Sequence, residues 1–291
     1  MTGELLDGKA LAGALEAPLA RRVAALRDAG HPAPALAVLL AGADRRAAAN
    51  ARLKADACAR IGLDCRLLAL PDGTGTSAVL AEVDRLNADP RVHGIFLQYP
   101  LGGEIDERRC GDRIGAAKDV DGAGSSSFGR LAAGGEGFGV ATPEGILRLL
   151  AHHGIAIAGR EAVVVGTGTA LGRPMALMLL RADATVTLCP TDSPHLAALV
   201  GRAEVVVGAA GQSQLIKARW IGDGAVVIDL GFHRGPPPAG DVEMTPELGR
   251  RCRAWTPVPG GAGPMTVAVL LAHTVEAAER ASRGGAVRTA R

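Results

Sequence analysis

An α/β chain of two doubly wound lobes is what the sequence predicts, and three observations carry that reading. Short apolar runs alternate with segments of helical periodicity along nearly the whole chain, the pattern of parallel sheets covered on both faces. A stretch rich in glycine and serine, "KDVDGAGSSSFGRLAAGGEGFG" from Lys118 to Gly139, interrupts the alternation. A second series then opens on a glycine-rich turn between a strand and a helix, "VVVGTGTALGRP". With 291 residues the chain is long enough for two modest domains, each burying its own core.

Apolar residues recur at helical spacing from Ala10 to Leu26, and Gly30, Pro32 and Pro34 stop that helix before the buried strand "ALAVLLAG". A helix around Ala47 to Ile61, a strand "CRLLAL", a helix through Ser77 to Leu86 and a strand "HGIFLQY" ending at Pro100 repeat the pattern. The Lys118–Gly139 stretch is predicted to hold no regular element and to act as a functional loop and interdomain crossing, with a helix starting at "TPEG". The second series reads as strand "EAVVVG", helix Leu171 to Leu180, strand "ATVTL", helix His195 to Val200, strand "EVVVGAA" and strand "AVVIDLG". The last periodic segment, Met265 to Ala281, follows the turn-rich "TPVPGGAGP" and is expected to return as a helix to the first lobe, with the tail from Arg283 frayed. The expected domains are therefore 1–141 joined by the helix 265–291, and 142–264.

Hydrophobic residues make up 48% of the chain, charged residues 21%, and the formal net charge is +2, which fits neither a disordered acidic chain nor a polybasic nucleic-acid binder. One Tyr, two Trp and four Phe leave few stacking platforms for single-stranded nucleic acid, so a small-molecule substrate is expected. Five widely spaced cysteines without a CxxC pair signal neither a disulfide framework nor zinc, and the histidines form no metal-ligand set; no metal is assigned and a cytoplasmic location is expected. The N-terminus lacks the apolar core of a signal peptide and no run is long enough to span a bilayer, so no membrane association is expected.

Gly166, Gly168 and Gly172 follow a predicted strand and open a helix, where pyrophosphate can approach bare backbone N–H groups; a tight turn without ligand is the alternative. The spacing is GxGxxxG, one residue longer than the usual fingerprint, and the next strand ends with Leu188 and Cys189, which specifies neither NAD nor NADP; Arg173 is the nearby cation. In "KDVDG", Asp119 and Asp121 could accept the N–H donors of a heterocycle or merely form a turn. Gln98 and Tyr99 sit at the carboxyl end of a strand, where open α/β sheets bind ligands, and neighbouring strand residues point to opposite faces. Asn50 and Lys54 are spaced i, i+4 on one helix face. A partly desolvated lysine there would serve as an acid or base near neutral pH, but helical spacing alone reads it as solvated.

Taken together, "KDVDG", "GTGTALGRP", "GAVVIDLG", "GDV" and above all "TPVPGGAGPMT" resemble the bifunctional methylenetetrahydrofolate dehydrogenase/methenyltetrahydrofolate cyclohydrolase family, in order and spacing over nearly the whole chain. The resemblance implies an N-terminal folate-binding lobe, a C-terminal NAD(P)-binding Rossmann lobe, a returning C-terminal helix and a homodimer. It implies hydride transfer from methylenetetrahydrofolate to nicotinamide, then hydrolysis of the methenyl ring to formyltetrahydrofolate. Lys54 falls on the family's catalytic lysine, Gln98 on the glutamine that assists it, and Asp121 on the carboxylate that anchors the pterin. Pro259, Gly260, Gly261 and Pro264 are implied near the folate, and Thr142, Gly166, Thr167, Gly168, Thr169, Gly172 and Arg173 around the dinucleotide.

Departures from the family pattern cluster at the chemistry. Asn50 stands where the family carries a tyrosine that packs on the folate, Ala47 replaces a serine, the segment after "DVDG" reads "AGSSS", and "LCPT" replaces the contacts to a 2′-phosphate. Tyr99, in place of an aliphatic residue, is expected to supply an aromatic surface to the same cleft. The leading expectation is a folate-dependent one-carbon enzyme using NADP or NAD, with weak cyclohydrolase activity. The alternative is a paralogue that delivers the methylene group as an iminium electrophile to an amine or carbon nucleophile of a second metabolite, with the nicotinamide dispensable.

Overall fold

The computed structural model describes residues 3–42 and 44–288, and in it the chain divides into two units. One comprises Gly13–Ala141 and the chain from Val267 onward; the other comprises Thr142–Thr266 and the residues through Ala12. The sequence expectation had assigned the first residues to the N-terminal lobe. They belong instead with Thr142–Thr266, because strand β1 (Glu4–Leu5) pairs in parallel with a strand near Trp255, Glu4 opposite Ala254 and Leu5 opposite Trp255. The Lys9 N–H then donates to the Gly260 carbonyl at 2.9 Å. Helix α1 (Gly8–Asp28) follows, and its Pro18 lies inside an otherwise unbroken helix.

In the Gly13–Ala141 unit, β2 (Ala35–Ala41), α2 (Arg45–Ile61), β3 (Asp64–Leu70), α3 (Thr76–Ala88) and β4 (Gly94–Leu97) build a parallel three-stranded sheet of order β3-β2-β4. All seven residues of β2 are buried, as a central strand covered on both faces requires. A parallel bridge from Ile95 to Asp119 extends the sheet edge to the "KDVDG" segment. Helix α2 starts at the Asp44 cap, whose carboxylate accepts the N–H groups of Arg46 at 2.7 Å and Ala47 at 3.3 Å, and stops at Gly62 in the left-handed region (φ 76°).

A short α4 (Glu107–Asp112) follows Asp106, which caps it. The segment Lys118–Gly139 is not free of regular structure, as had been expected, since α5 (Ser125–Ala132) lies within it. The reason is local. The buried Asp119 carboxylate accepts the Gly124 N–H at 3.1 Å and the Ser127 hydroxyl at 2.6 Å, pinning the first turn, while Ser127 and Leu131 bury the inner face.

In the Thr142–Thr266 unit, α6 (Ala141–His152) enters from the boundary residue Ala141 and leads to β5 (Glu161–Val165), α7 (Gly172–Arg181), β6 (Thr185–Cys189), α8 (Leu196–Arg202), β7 (Val205–Gly208), β8 (Val226–Asp229), α9 (Pro246–Arg251) and β9 (Ala254–Trp255). The sheet is parallel throughout, in the order β1-β9-β8-β7-β5-β6. Chain order reverses between β5 and β7, so loops on either side diverge there and leave a crevice at the strand carboxyl ends. The final helix α10 (Ala262–Arg288) passes the unit boundary between Thr266 and Val267. From there Val269, Leu270, Leu271, Ala272 and Val275 pack into the core formed by Leu36, Val38 and Ala51. Helix continues past Arg283, where fraying had been expected, to Arg288; residues 289–291 lie outside the described residues. Among the described residues no helix is long and apolar enough to cross a membrane.

Candidate active site

In the Gly13–Ala141 unit the strand order places a switch point between β2 and β4, and Gln98 and Tyr99 leave the sheet there. The Gln98 backbone N–H still belongs to the ladder, donating to the Leu39 carbonyl at 2.8 Å. Its side chain is buried, with Nε2 donating to the Tyr99 carbonyl at 3.1 Å, which leaves Oε1 as the acceptor for Lys54. Lys54 Nζ donates to that oxygen at 2.8 Å and lies 4.6 Å from the centroid of the Phe96 ring.

Lys54 is 8% exposed because it occupies the apolar stripe of α2, whose buried residues are Ala47, Ala51, Lys54, Ala57, Cys58 and Ile61. That spacing was a usable signal that helical decoration alone did not weigh. Burial draws the Lys54 pKa down to about 8, against the opposing effect of Asp121. Asn50, one turn earlier, is exposed and off the stripe, so Asn50 and Lys54 do not share a burial environment despite their i, i+4 spacing.

The two aspartates of "KDVDG" separate in role. Asp119 is 3% exposed and holds α5 as described, whereas Asp121 is half-buried and its backbone carbonyl accepts the Ala141 N–H at 3.0 Å. Burial raises the Asp121 carboxyl to about 6, Asp119 adds to the rise, and Lys54 and His273 oppose it. His273, on α10, is buried; its Nδ1 lies 2.7 Å from the Val120 carbonyl, and its ring stacks tilted on Phe138 at 4.8 Å. His273 thus fixes the backbone immediately before Asp121. Sequence reasoning missed it, since a lone histidine in an apolar helix carries no local mark. Tyr99 is 36% exposed, and burial of its phenol together with the Asp121 charge pushes its pKa up, so the phenol is neutral.

The Thr142–Thr266 unit holds the remaining expected residues in two groups. Gly166 (φ 114°) turns the chain out of β5, and a Cβ on it would lie 2.0 Å from the Ala209 carbonyl oxygen. A Cβ on Gly172 would lie 1.9 Å from the Gly166 carbonyl oxygen, whereas one on Gly168 would meet nothing within 4 Å. Two glycines therefore serve close packing, and the third leaves backbone open to an approaching group. Thr167, Gly168 and Thr169 lie on this rim, and Arg173 folds back over it, Nε donating to the Thr167 carbonyl at 2.9 Å.

The second group surrounds a cavity of about 620 Å³ lined by Thr142, Pro259, Gly260, Gly261 and Pro264, with Lys9, Asp229 and Phe232 also contributing. Thr142, expected beside the dinucleotide, and the "PVPGGAGP" residues, expected beside folate, thus share one pocket; the Thr142 and Thr266 hydroxyls lie 2.8 Å apart. Asp229 is buried and accepts three backbone N–H groups, from Gly231, Asp241 and Val242, each at 2.9 Å. Asp241, fully buried, accepts the N–H groups of Ala210 and Gly211 and lies 2.7 Å from His233 Nε2. The "GDV" motif is therefore a brace for the loops at the carboxyl ends of β7 and β8, a role that its residue types alone did not reveal.

Residues 6–121 match the catalytic domain, and residues 140–282 the NAD(P)-binding domain, of the tetrahydrofolate dehydrogenase/cyclohydrolase family. Bifunctional protein FolD of Acidobacterium capsulatum is 50% identical over 284 residues, which cover 97% of this chain and 99% of that protein. Among solved structures, the bifunctional FolD methylenetetrahydrofolate dehydrogenase/cyclohydrolase of Campylobacter jejuni superposes with a TM-score of 0.92 at 36% identity, covering 95% of this chain and 98% of its own. The Trypanosoma brucei methylenetetrahydrofolate dehydrogenase-cyclohydrolase, solved with NADP and an inhibitor, gives a TM-score of 0.90 at 33% identity over 97% of this chain and 99% of that one. With both domains matched in order and half of all aligned residues shared with a relative of equal extent, the chain belongs to the tetrahydrofolate dehydrogenase/cyclohydrolase family.

Proposed function

We propose that the protein oxidises methylenetetrahydrofolate to methenyltetrahydrofolate with a nicotinamide dinucleotide and then hydrolyses the methenyl ring to formyltetrahydrofolate. The observation that carries this reading is the buried Lys54 ammonium held on Gln98 Oε1, with Asp121 close enough to bias its proton. The residues around Gly166–Gly172 fit a dinucleotide, since the loop is braced by close packing at two glycines and open at Gly168. Bound there, the nicotinamide ring supplies a two-electron acceptor for hydride from the methylene carbon. Asp121 accepts N–H groups of the pterin as a carboxylate, and Tyr99 offers its ring to the substrate. NADP is the favoured form, on the kinship with the NADP-bound Trypanosoma relative.

For the ring opening, neutral Lys54 takes a proton from water as its oxygen adds to the methenyl carbon. It then returns that proton to the ring nitrogen as the C–N bond breaks, while the hydroxyl of the adduct gives up its own proton to solvent and becomes the formyl carbonyl. Gln98 keeps Nζ aimed at this position in either protonation state. The 50% identity to a bifunctional relative favours this pair of reactions over methylene transfer to a second metabolite. Assembly as a cytoplasmic homodimer is part of the proposal, on the family resemblance.

A pH profile tests the assignment. Lys54 must be neutral to act as base, so kcat/KM for ring opening should rise with pH through an inflection near 8. A second loss is expected on the acid side as Asp121 protonates below about 6. Lys54→Arg, which stays charged throughout, should abolish the upper inflection; its persistence would remove Lys54 from the chemistry. Asn50 supplies no aromatic ring to the folate, and Asn50→Tyr should raise ring opening by about tenfold, the value of roughly 1.4 kcal/mol from one new stacking contact and hydrogen bond. No increase in stopped-flow methenyl decay would show that this position does not limit the reaction.

A further inference from the structure

Lys118, the first residue of "KDVDG", has no part in the chemistry above. Its ammonium reaches back to the carboxyl end of α3 and donates to three backbone carbonyls, those of Leu86 at 2.9 Å, Asn87 at 2.9 Å and Asp89 at 2.7 Å. A helix end leaves its last carbonyls without intrahelical partners and an ammonium carries three N–H donors, so every proton of Lys118 is placed on the α3 terminus. The negative end of the helix dipole and the Asp89 carboxylate favour the charge there, against burial. Asn87 makes a second tie, its Nδ2 donating to the Arg113 carbonyl at 2.8 Å and its Oδ1 accepting the Gly115 N–H at 2.9 Å. We infer that Lys118 is a positioning residue of the folate site: its ammonium, seated on the end of α3, sets where the Asp121 carboxylate stands three residues later.

The path from Lys118 to Asp121 is short and held by hydrogen bonds along its length. The Lys118 N–H donates to the Gly115 carbonyl at 2.7 Å, and its own carbonyl accepts the Ile95 N–H of β4 at 2.8 Å and the Val120 N–H at 2.9 Å. The Asp119 N–H donates to the Gly115 carbonyl at 3.0 Å. Val120 packs over Gly94, where a Cβ would stand 2.9 Å from either of its methyl carbons, and its carbonyl lies 2.7 Å from His273 Nδ1. Asp121 thus follows a backbone with little slack on the Lys118 side. This role for Lys118 rests on the one proposed above for Asp121, acceptance of the pterin N–H groups as a carboxylate. Such recognition needs the carboxylate fixed in place and direction, since a shift of about 1 Å can cost as much as a hundredfold.

Lys118→Met keeps the apolar stem and removes the three donors. Affinity for tetrahydrofolate, measured by calorimetric titration of the full-length protein, should fall at least about tenfold. Affinity for NADP, whose loop belongs to the other unit, should be unchanged. Lys118→Arg keeps the charge and several donors and should recover most of the loss. Val83→Ala, which opens the buried core beside α3 and lowers Tm without touching the tie, should bind tetrahydrofolate as the parent does. The pH profile of binding separates positioning from stability. Burial and Asp119 raise the Asp121 carboxyl to about 6, against Lys54 on α2 and His273 on α10, and the nearby Tyr99 phenol is neutral. A loosened loop admits water, so in Lys118→Met the acid-side loss of binding should move from about 6 towards the ordinary carboxylate range near about 4, and comparison with the parent removes titration of the ligand. If Lys118→Met does not fold, Lys118→Gln, neutral with two N–H donors, takes its place in each measurement. Parent-like affinity and acid profile in the Lys118 variant, or an equal loss in Val83→Ala, would overturn the proposal. Asp121→Asn tells that failure from the failure of the role beneath it. A loss in Asp121→Asn with none in the Lys118 variant removes Lys118 alone, whereas no loss in Asp121→Asn removes Asp121 from folate binding and Lys118 with it.

Discussion

Lys54→Met should slow ring opening by roughly 10²–10⁴-fold, the usual worth of a positioned acid or base, while the folate KM moves by less than about threefold. Methionine keeps the length and apolar stem of lysine, so the stripe Ala47–Ala51–Lys54–Cys58–Ile61 stays filled. What it removes is the proton carrier on Gln98 Oε1. The substitution should also stabilise the protein. Burial lowers the Lys54 pKa from 10.5 to about 8, so below pH 8 the folded chain bears a charge it holds less well than the unfolded chain does. The sign follows from proton counting. Between about 8 and 10.5 the unfolded chain binds the extra proton, so native stability rises with pH in that window and its deficit is fully present below it. At pH 7 the deficit is about 3 kcal/mol, since each tenfold loss of proton affinity on folding is worth about 1.4 kcal/mol.

A Lys54→Met protein with lower activity and a higher Tm at pH 7 is therefore the expected result. Calorimetry should show the Tm difference shrinking as pH rises from about 8 towards 10.5. Activity loss accompanied by a lower Tm would mean that Lys54 is chiefly a structural group, with Gln98 as its hydrogen-bond partner. That outcome would transfer the base role elsewhere.

How far this site could be read from the chain depends on which physical signal each residue carries. The strands announced themselves through continuous apolar runs, because β2 and, after its exposed first residue Glu161, β5 are buried along their length and covered on both faces. Lys54 needed a different reading. Its position on the 47–51–54–58–61 stripe, rather than its charge, marks it as buried, and a charged residue on an apolar stripe must have a partner. Asp119 and Asp121 look alike in sequence, and only the hydrogen bonds from Gly124 and Ser127 divide the structural carboxylate from the available one. Those same bonds produce α5 in a segment whose composition argues for a loop. The N-terminal residues joined the second unit through the backbone pairing of β1 with β9, a contact of high sequence separation that local periodicity cannot register. His273 and Asp241 were illegible for a related reason. Each acts on backbone groups far along the chain, Val120 for the first and Ala210–Gly211 for the second.

The glycines of the dinucleotide loop should respond to substitution in opposite ways. In Gly172→Val the new Cβ starts 1.9 Å from the Gly166 carbonyl oxygen, and the next nearest atoms, of Gly166 and Thr167, are also backbone, so no flexible side chain can yield. The first turn of α7 must move away from the end of β5, and overpacking of this kind costs about 1–3 kcal/mol or more. A fall in Tm of several degrees with loss of nucleotide binding is expected, measured by calorimetry and by titration with NADP and NAD. Gly168→Ala presents the reverse case. No atom lies within 4 Å of the new methyl and the residue does not occupy the left-handed region, so the Tm should stay within about 1 °C of the parent, as for other surface substitutions. The methyl would nevertheless stand where a pyrophosphate must reach bare N–H groups, and nucleotide affinity should fall by at least about tenfold, or 1.4 kcal/mol. The folate KM should not follow it, because Lys54, Gln98 and Asp121 belong to the other unit. Gly168→Ala protein that binds both nucleotides as the parent does would show that the open glycine is a turn residue only, and that the phosphates are held at another part of the β5 crevice.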